Sequence, residues 1–200
     1  IALLSTGDEL VRPGETPGPF QIVSSNSVAL AALIESHGAE AVDLGIARDD
    51  RADLLRAAGA AGACDLLVTA GGASVGDHDL VHAVLGRAGA SIDFWRIAMR
   101  PGKPLMFGRA DLAQGSVPLL GLPGNPVSAL VCALIFLLPA IRRLLGLADT
   151  ETEMEQALLG CDLPANDRRQ DYLRARLQRG ADGQWTATPF PRQDSSMLAS

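Results

Sequence analysis

Asp65-Leu66-Leu67-Val68-Thr69 is a short apolar run that passes directly into the paired glycines Gly71 and Gly72, and then into Ser74, Asp77, His78 and Asp79. A run this short and this uniformly apolar reads as a strand buried on both faces, the pattern of a parallel sheet with helices on either side. The glycines let backbone amides approach a bound group without a Cβ in the way. The polar residues then fall at the carboxyl end of the strand, where open α/β sheets place their ligands. The segment reads as a site loop, or as a tight strand-to-helix turn with Asp77 as helix cap.

Two further strand ends repeat the pattern. Ile1-Ala2-Leu3-Leu4-Ser5-Thr6 ends in Gly7-Asp8-Glu9, and Val42-Asp43-Leu44-Gly45-Ile46-Ala47 ends in Arg48-Asp49-Asp50. If these strands run parallel, Glu9, Asp49, Asp50 and Asp79 gather on one rim of the sheet. Converging carboxylates repel one another unless a cation lies among them, and a hard, oxygen-ligated ion that also binds phosphate, Mg²⁺, suits that position.

The alternation extends along most of the chain. Ser24-Ser25-Asn26 precedes an amphipathic helix that closes at Gly38, residues 53–61 form a second helix and residues 79–85 a third. Residues 92–99, 104–107 and 117–122 read as strands. Residues 126–145 form a long closing helix with Pro126 in its first turn and Asn125 as its cap. This is an α/β fold, a mostly parallel open sheet with helices on both faces. The pattern changes after Gly146: Tyr172 to Leu177 alternates with period two, residues 180–183 turn, and Trp185 to Thr188 returns. Residues 1–146 are thus one α/β domain, and residues 147–200 a small, incomplete all-β domain.

Composition removes several functions. The net charge is −6 and the 17 basic residues form no stripe, so nucleic acid is not an expected partner. The apolar run at 127–138 is broken by Pro139, Arg142 and Arg143, short of the roughly 20 residues that span a bilayer, and no membrane is expected. Cys64, Cys132 and Cys161 have neither disulfide-framework nor zinc spacing, which points to a reducing cytoplasm. Neither G-x-G-x-x-G nor G-x-x-x-x-G-K-[ST] occurs. The start at Ile1, already in a strand, suggests a fragment of a longer protein.

Arg100-Pro101-Gly102-Lys103-Pro104 holds the one lysine of the chain between two prolines. Charge on so rigid a turn suits phosphate or an oxyanion such as molybdate or sulfate. Gly121-Leu122-Pro123-Gly124-Asn125-Pro126 opens the closing helix, whose N-terminal amides attract anions.

Taken together, S-T-G-D-E-L at 5–10, L-G-I-A-R-D-D at 44–50, G-G-A-S-V-G-D-H-D at 71–79, R-P-G-K-P at 100–104 and G-L-P-G-N-P-V-S at 121–128 resemble the molybdopterin molybdenumtransferases, the MoeA and gephyrin E-domain family. The resemblance implies a molybdopterin-binding fold followed by part of a C-terminal β domain, with the family's N-terminal domains outside this sequence. It implies insertion of molybdate into adenylylated molybdopterin with release of AMP, in a homodimer, with Mg²⁺ as cofactor. By motif position the resemblance implies that Glu9, Asp49, Asp79 and Lys103 would be the catalytic residues. It implies that Glu9, Asp49, Asp50 and Asp79 would lie about the metal, with Asp50 an adjacent helper, and that Gly71, Gly72, Ser74, Arg100, Gly124, Asn125, Arg174 and Ser195 would line the cofactor site. Arg100 stands where many relatives have lysine, and Phe20 where the family usually has glycine. A molybdopterin adenylyltransferase and a gephyrin-like scaffold remain as alternatives.

Overall fold

The computed structural model describes residues 1–71, 91–112, 115–150 and 154–194. Strands β1 (Ala2–Thr6), β4 (Val42–Ala47), β5 (Leu67–Ala70), β6 (Ser91–Trp95), β8 (Met106–Leu112) and β9 (Gly115–Leu122) form one six-stranded sheet in the order β4-β1-β5-β9-β8-β6. The first four strands in that order are mutually parallel, whereas β8 runs antiparallel to both β9 and β6. The short β2 (Leu10–Val11) and β3 (Ile22–Val23) pair beside it.

Successive residues of the central strands enter opposite cores, as the period of two requires. Leu3, Val68, Ala70, Leu120 and Leu122 pack on one face with Leu30 and Ile34 of α1 (Asn26–Ser36) and with Cys132, Ala133, Leu137 and Ile141 of α3 (Pro126–Leu144). Ala2, Leu4, Leu67 and Leu119 pack on the other with Leu54, Ala57 and Ala58 of α2 (Arg51–Gly59). All of these side chains are buried. Burial of both faces explains why the strands read as uninterrupted apolar runs. The helix expected at 79–85 lies outside the described residues.

Two elements differ from expectation for identifiable reasons, and the closing helix holds together across a proline. The strand beginning at residue 91 stops at Trp95 rather than reaching Met99, because Arg96 takes φ +73° and lays its guanidinium 3.9 Å from the Trp95 ring centroid. Met106–Leu112 and Gly115–Leu122 form one long hairpin, register Phe107 to Leu120, which makes the sheet mixed at that edge. Helix α3 continues through Pro139, which lacks an amide hydrogen and crowds the preceding turn. A π-helical stretch, Ala133–Leu137, with Leu138 N–H bonded to the Ala133 carbonyl, accommodates it. At 19 residues α3 is long and apolar enough to cross a bilayer, but Val127, Ala129, Cys132, Leu137 and Ile141 are buried within the protein, as in a core helix.

Beyond α3 the chain forms β10 (Leu158–Leu159), β11 (Gln170–Asp171), β12 (Ala175–Arg179) and β13 (Trp185–Pro189). The hairpin β12–β13 pairs Leu177 with Ala187, and β10 joins β13 in parallel. β11 leaves this sheet altogether. It pairs with β7 (Met99–Arg100) at the R-P-G-K-P turn and so ties the C-terminal part to the α/β domain.

Candidate active site

The chain leaves β1 for one side of the sheet and returns through α2 to β5 on the other, so the strand order reverses between β1 and β5. A crevice opens at the carboxyl end of such a reversal. Here it is a cleft of about 90 Å³ lined by Ser5, Thr6, Glu9, Asn26, Gly71 and Gly124, among others. Gly71 has φ +104°, and a Cβ there would collide with the Thr6 carbonyl oxygen, so glycine is required where β5 passes the end of β1. Asn26 Nδ2 donates to the Gly124 carbonyl at 2.7 Å and fixes the start of α1 against the turn before α3.

Glu9 is the acidic residue that lines this cleft among the described residues, and Asp8 and Asp49 lie near it. Asp49 N–H donates to Asp8 Oδ1 at 3.1 Å, which brings the ends of β4 and β1 together. Asp49 is solvent-exposed overall, yet partial desolvation lifts its carboxyl above the ordinary 3.8, and the charges of Asp8 and then Glu9 add to the effect. Glu9 and Asp49 thus converge as the sequence indicates. Asp8, adjacent in sequence to Glu9, joins them; only its contact with Asp49 across 41 residues distinguishes it. Asp50 performs a structural task, its Oδ1 accepting Asp53 N–H at 2.9 Å as the N-cap of α2. Among the described residues no group of three acid, histidine or cysteine side chains is arranged to hold a metal. The donor set available at the rim, carboxylates that repel one another, nevertheless has the chemistry a hard cation requires. Asp79, Gly72, Ser74 and Ser195 lie outside the described residues.

A second pocket, about 290 Å³, adjoins the first and is cationic. The R-P-G-K-P turn forms one wall, with a cis peptide between Arg100 and Pro101. Gly102 has φ +113° and lies against α3 so closely that a Cβ would fall 2.5 Å from Cys132 Sγ. Burial pushes the Cys132 thiol up to about 12, so it serves as packing, not as a nucleophile. Arg169, Tyr172, Arg174 and Gln193, from the C-terminal part, form the opposite wall.

The cations of this pocket are not equivalent. Arg100 donates from Nε and Nη2 to Asp171 at 3.0 and 2.5 Å. Arg169 is bound to Asp167 at 2.6 Å, which draws the Asp167 carboxyl down to about 2. Arg174 donates to the carbonyls of Arg192 and Asp194, just before Ser195. Lys103 is exposed on the turn, the pocket's cation that no carboxylate or carbonyl engages among the described residues. The R-P-G-K-P turn and Arg174 thus come together as the sequence indicates. The roles of Tyr172, Arg169 and Gln193 carried no local signal.

The first turn of α3 separates the two pockets, with Gly124 and Pro126 facing the acidic cleft and Val127 and Ser128 the cationic one. Asn125 has the extended backbone of an N-cap but makes no side-chain cap bond, and its Oδ1 is buried without a partner among the described residues. Thr6 Oγ1, in the wall of the acidic cleft, is likewise buried and unpartnered. Thr6 Oγ1 can donate or accept whereas Asn125 Oδ1 can only accept, so the two atoms suit a polar ligand that offers at least one donor.

Fold and site together define an α/β domain with a crevice at its strand reversal. The chain belongs to the molybdopterin-binding domain family of the MoeA type: residues 2–143 match the family described as "Probable molybdopterin binding domain", and residues 156–200 match the "MoeA C-terminal region (domain IV)". A molybdopterin molybdenumtransferase of Nostoc is 45% identical over 176 residues, covering 86% of this chain and 40% of that protein. One from Haemophilus influenzae is 42% identical, covering 73% and 35%. The crystal structure of a molybdopterin biosynthesis MoeA protein from Pyrococcus horikoshii superposes with a TM-score of 0.76 at 31% identity, covering 96% of this chain and 44% of that one. The chain therefore spans less than half the length of these relatives.

Proposed function

We propose that this chain carries the catalytic portion of a molybdopterin molybdenumtransferase, which releases AMP from adenylylated molybdopterin and inserts molybdate at the pterin dithiolene. The observation that supports it is the meeting of two pockets of opposite character across one helix N-terminus. The acidic cleft takes the adenylyl phosphoanhydride, and the cationic pocket takes the oxyanion. Glu9 and Asp49, with Asp79, would hold Mg²⁺, whose charge offsets that developing on the phosphates. Asp8 lies beside them and Asp50 only supports them. The rim carboxylates orient the attacking water and accept its proton as the phosphorus–oxygen bond to the pterin phosphate breaks and AMP leaves. The amides at the start of α3 and of Gly71 lie toward the phosphates. Lys103 holds molybdate as a point charge on a turn fixed by packing. The reading brings with it a cytoplasmic homodimer.

The test is AMP release by the full-length protein from adenylylated molybdopterin, with and without molybdate. Release that requires Mg²⁺ and rises with molybdate is expected. An enzyme that instead forms the adenylate from ATP, or a protein that binds molybdopterin and turns over neither substrate, would replace this reading with the adenylyltransferase or the scaffold.

A further inference from the structure

Arg100 is the pocket residue whose geometry fits worst with direct anion binding. Its Nε and Nη2 are both directed at the two oxygens of Asp171, whose side chain is only 9% exposed. A bidentate guanidinium–carboxylate pair neutralises the charge and fixes both planes. The pair bridges segments 71 residues apart, from the α/β domain to the C-terminal part. The backbone pairing at that seam is two residues long on each side, with Gln170 N–H on the Ala98 carbonyl at 2.9 Å and Tyr172 N–H on the Arg100 carbonyl at 2.8 Å. So short a ladder is marginal without side-chain support. Tyr172, next to Asp171, packs on the core beneath α3.

We propose that Arg100 is a positioning residue, one half of an Arg100–Asp171 latch that fastens segment 169–174 across the R-P-G-K-P turn and thereby holds Arg169, Tyr172 and Arg174 as the wall facing Lys103. The identity of the anion in this pocket rests on the function proposed above; the latch itself does not. Lysine at this position would supply charge without the planar fork, so arginine here fixes the wall at the expense of a second free charge in the pocket.

The two roles predict opposite signs. If Arg100 were an anion ligand held back by Asp171, Asp171→Asn would release it and tighten oxyanion binding. As a latch, Asp171→Asn loosens the wall and weakens binding. The experiment uses the full-length protein, with inorganic molybdate as the titrant in calorimetry and hydrogen exchange read on peptides covering 169–174. Arg100→Lys and Asp171→Asn are each expected to weaken molybdate binding by about fivefold and to speed exchange at Gln170 and Tyr172. The double variant should be no worse than either single one, because a broken latch cannot be broken twice. Asp171→Glu, which keeps the carboxylate, should fall between wild type and Asp171→Asn, and thermal melts identify any variant that has unfolded. Tighter binding in Asp171→Asn, additive losses in the double variant, or unchanged exchange at 170–172 would each overturn the latch. A wild-type protein that binds no molybdate would refute the proposed function, and the exchange measurement would still decide the latch.

Discussion

Gly102→Ala tests how the R-P-G-K-P turn is held. The backbone at Gly102 has φ +113°, a conformation that costs a residue with a Cβ about 1–2 kcal/mol. The added methyl would lie 2.5 Å from Cys132 Sγ and 3.1 Å from Met99 Cε. Neither atom can withdraw freely, because Cys132 is fully buried on the core face of α3 and Met99 is 4% exposed. Overpacking of this kind costs about 1–3 kcal/mol. The total, roughly 2–5 kcal/mol, is a large fraction of the ~5–15 kcal/mol that stabilises a typical domain. Urea denaturation of Gly102→Ala, of Cys132→Ala and of the double variant separates the two contributions. Removing Sγ relieves the overlap but not the backbone strain, so the double variant should be at least ~1 kcal/mol more stable than the sum of the single losses predicts. Strict additivity would show that the turn does not rest on Cys132 and that Lys103 is not positioned by α3.

Two other outcomes follow from the ionisable groups. Asp167 should titrate near 2 by carboxyl NMR, and Arg169→Gln should return it toward 3.8; its contribution to stability is present above about 3.8 and disappears as the pH falls toward 2. Thiol labelling of the native protein at pH 8 should modify exposed Cys161 first and the half-buried Cys64, whose pKa burial raises, more slowly. Cys132 should react only on unfolding.

Local sequence carries the parts of this site that are local. Apolar strands followed closely by acids mark the ends of β1 and β4, and these ends bring Glu9 and Asp49 near each other. The glycine requirement at Gly71 and the break at Pro126 were legible for the same reason: backbone geometry there depends on adjacent residues. Asp50 was not separable from Asp49, since both follow the same strand and only the hydrogen bond to Asp53 N–H shows which one caps α2. Long-range pairing left no mark in the sequence. The Arg100–Asp171 ion pair joins residues with no common motif, and the pairing of β11 with β7 depends on how the C-terminal part folds back. Helix α3 runs through Pro139 as the single closing helix that the sequence indicates, but the π turn that keeps its ladder continuous there is announced by nothing in the residues 133–137.

The division of labour between the two pockets is tested most directly by molybdate titrations of AMP release for Lys103→Ala and Glu9→Gln, measured side by side in the full-length protein with adenylylated molybdopterin. Lys103→Ala should raise the molybdate concentration for half-maximal activity by about tenfold with little change in pterin affinity, equivalent to about 1.4 kcal/mol on one anion, and tungstate should compete at the same site. Glu9→Gln should lower the maximal rate by at least about tenfold at every molybdate concentration and leave the half-maximal concentration near wild type. Two variants that lose maximal rate alike, with identical molybdate dependence, would contradict the account.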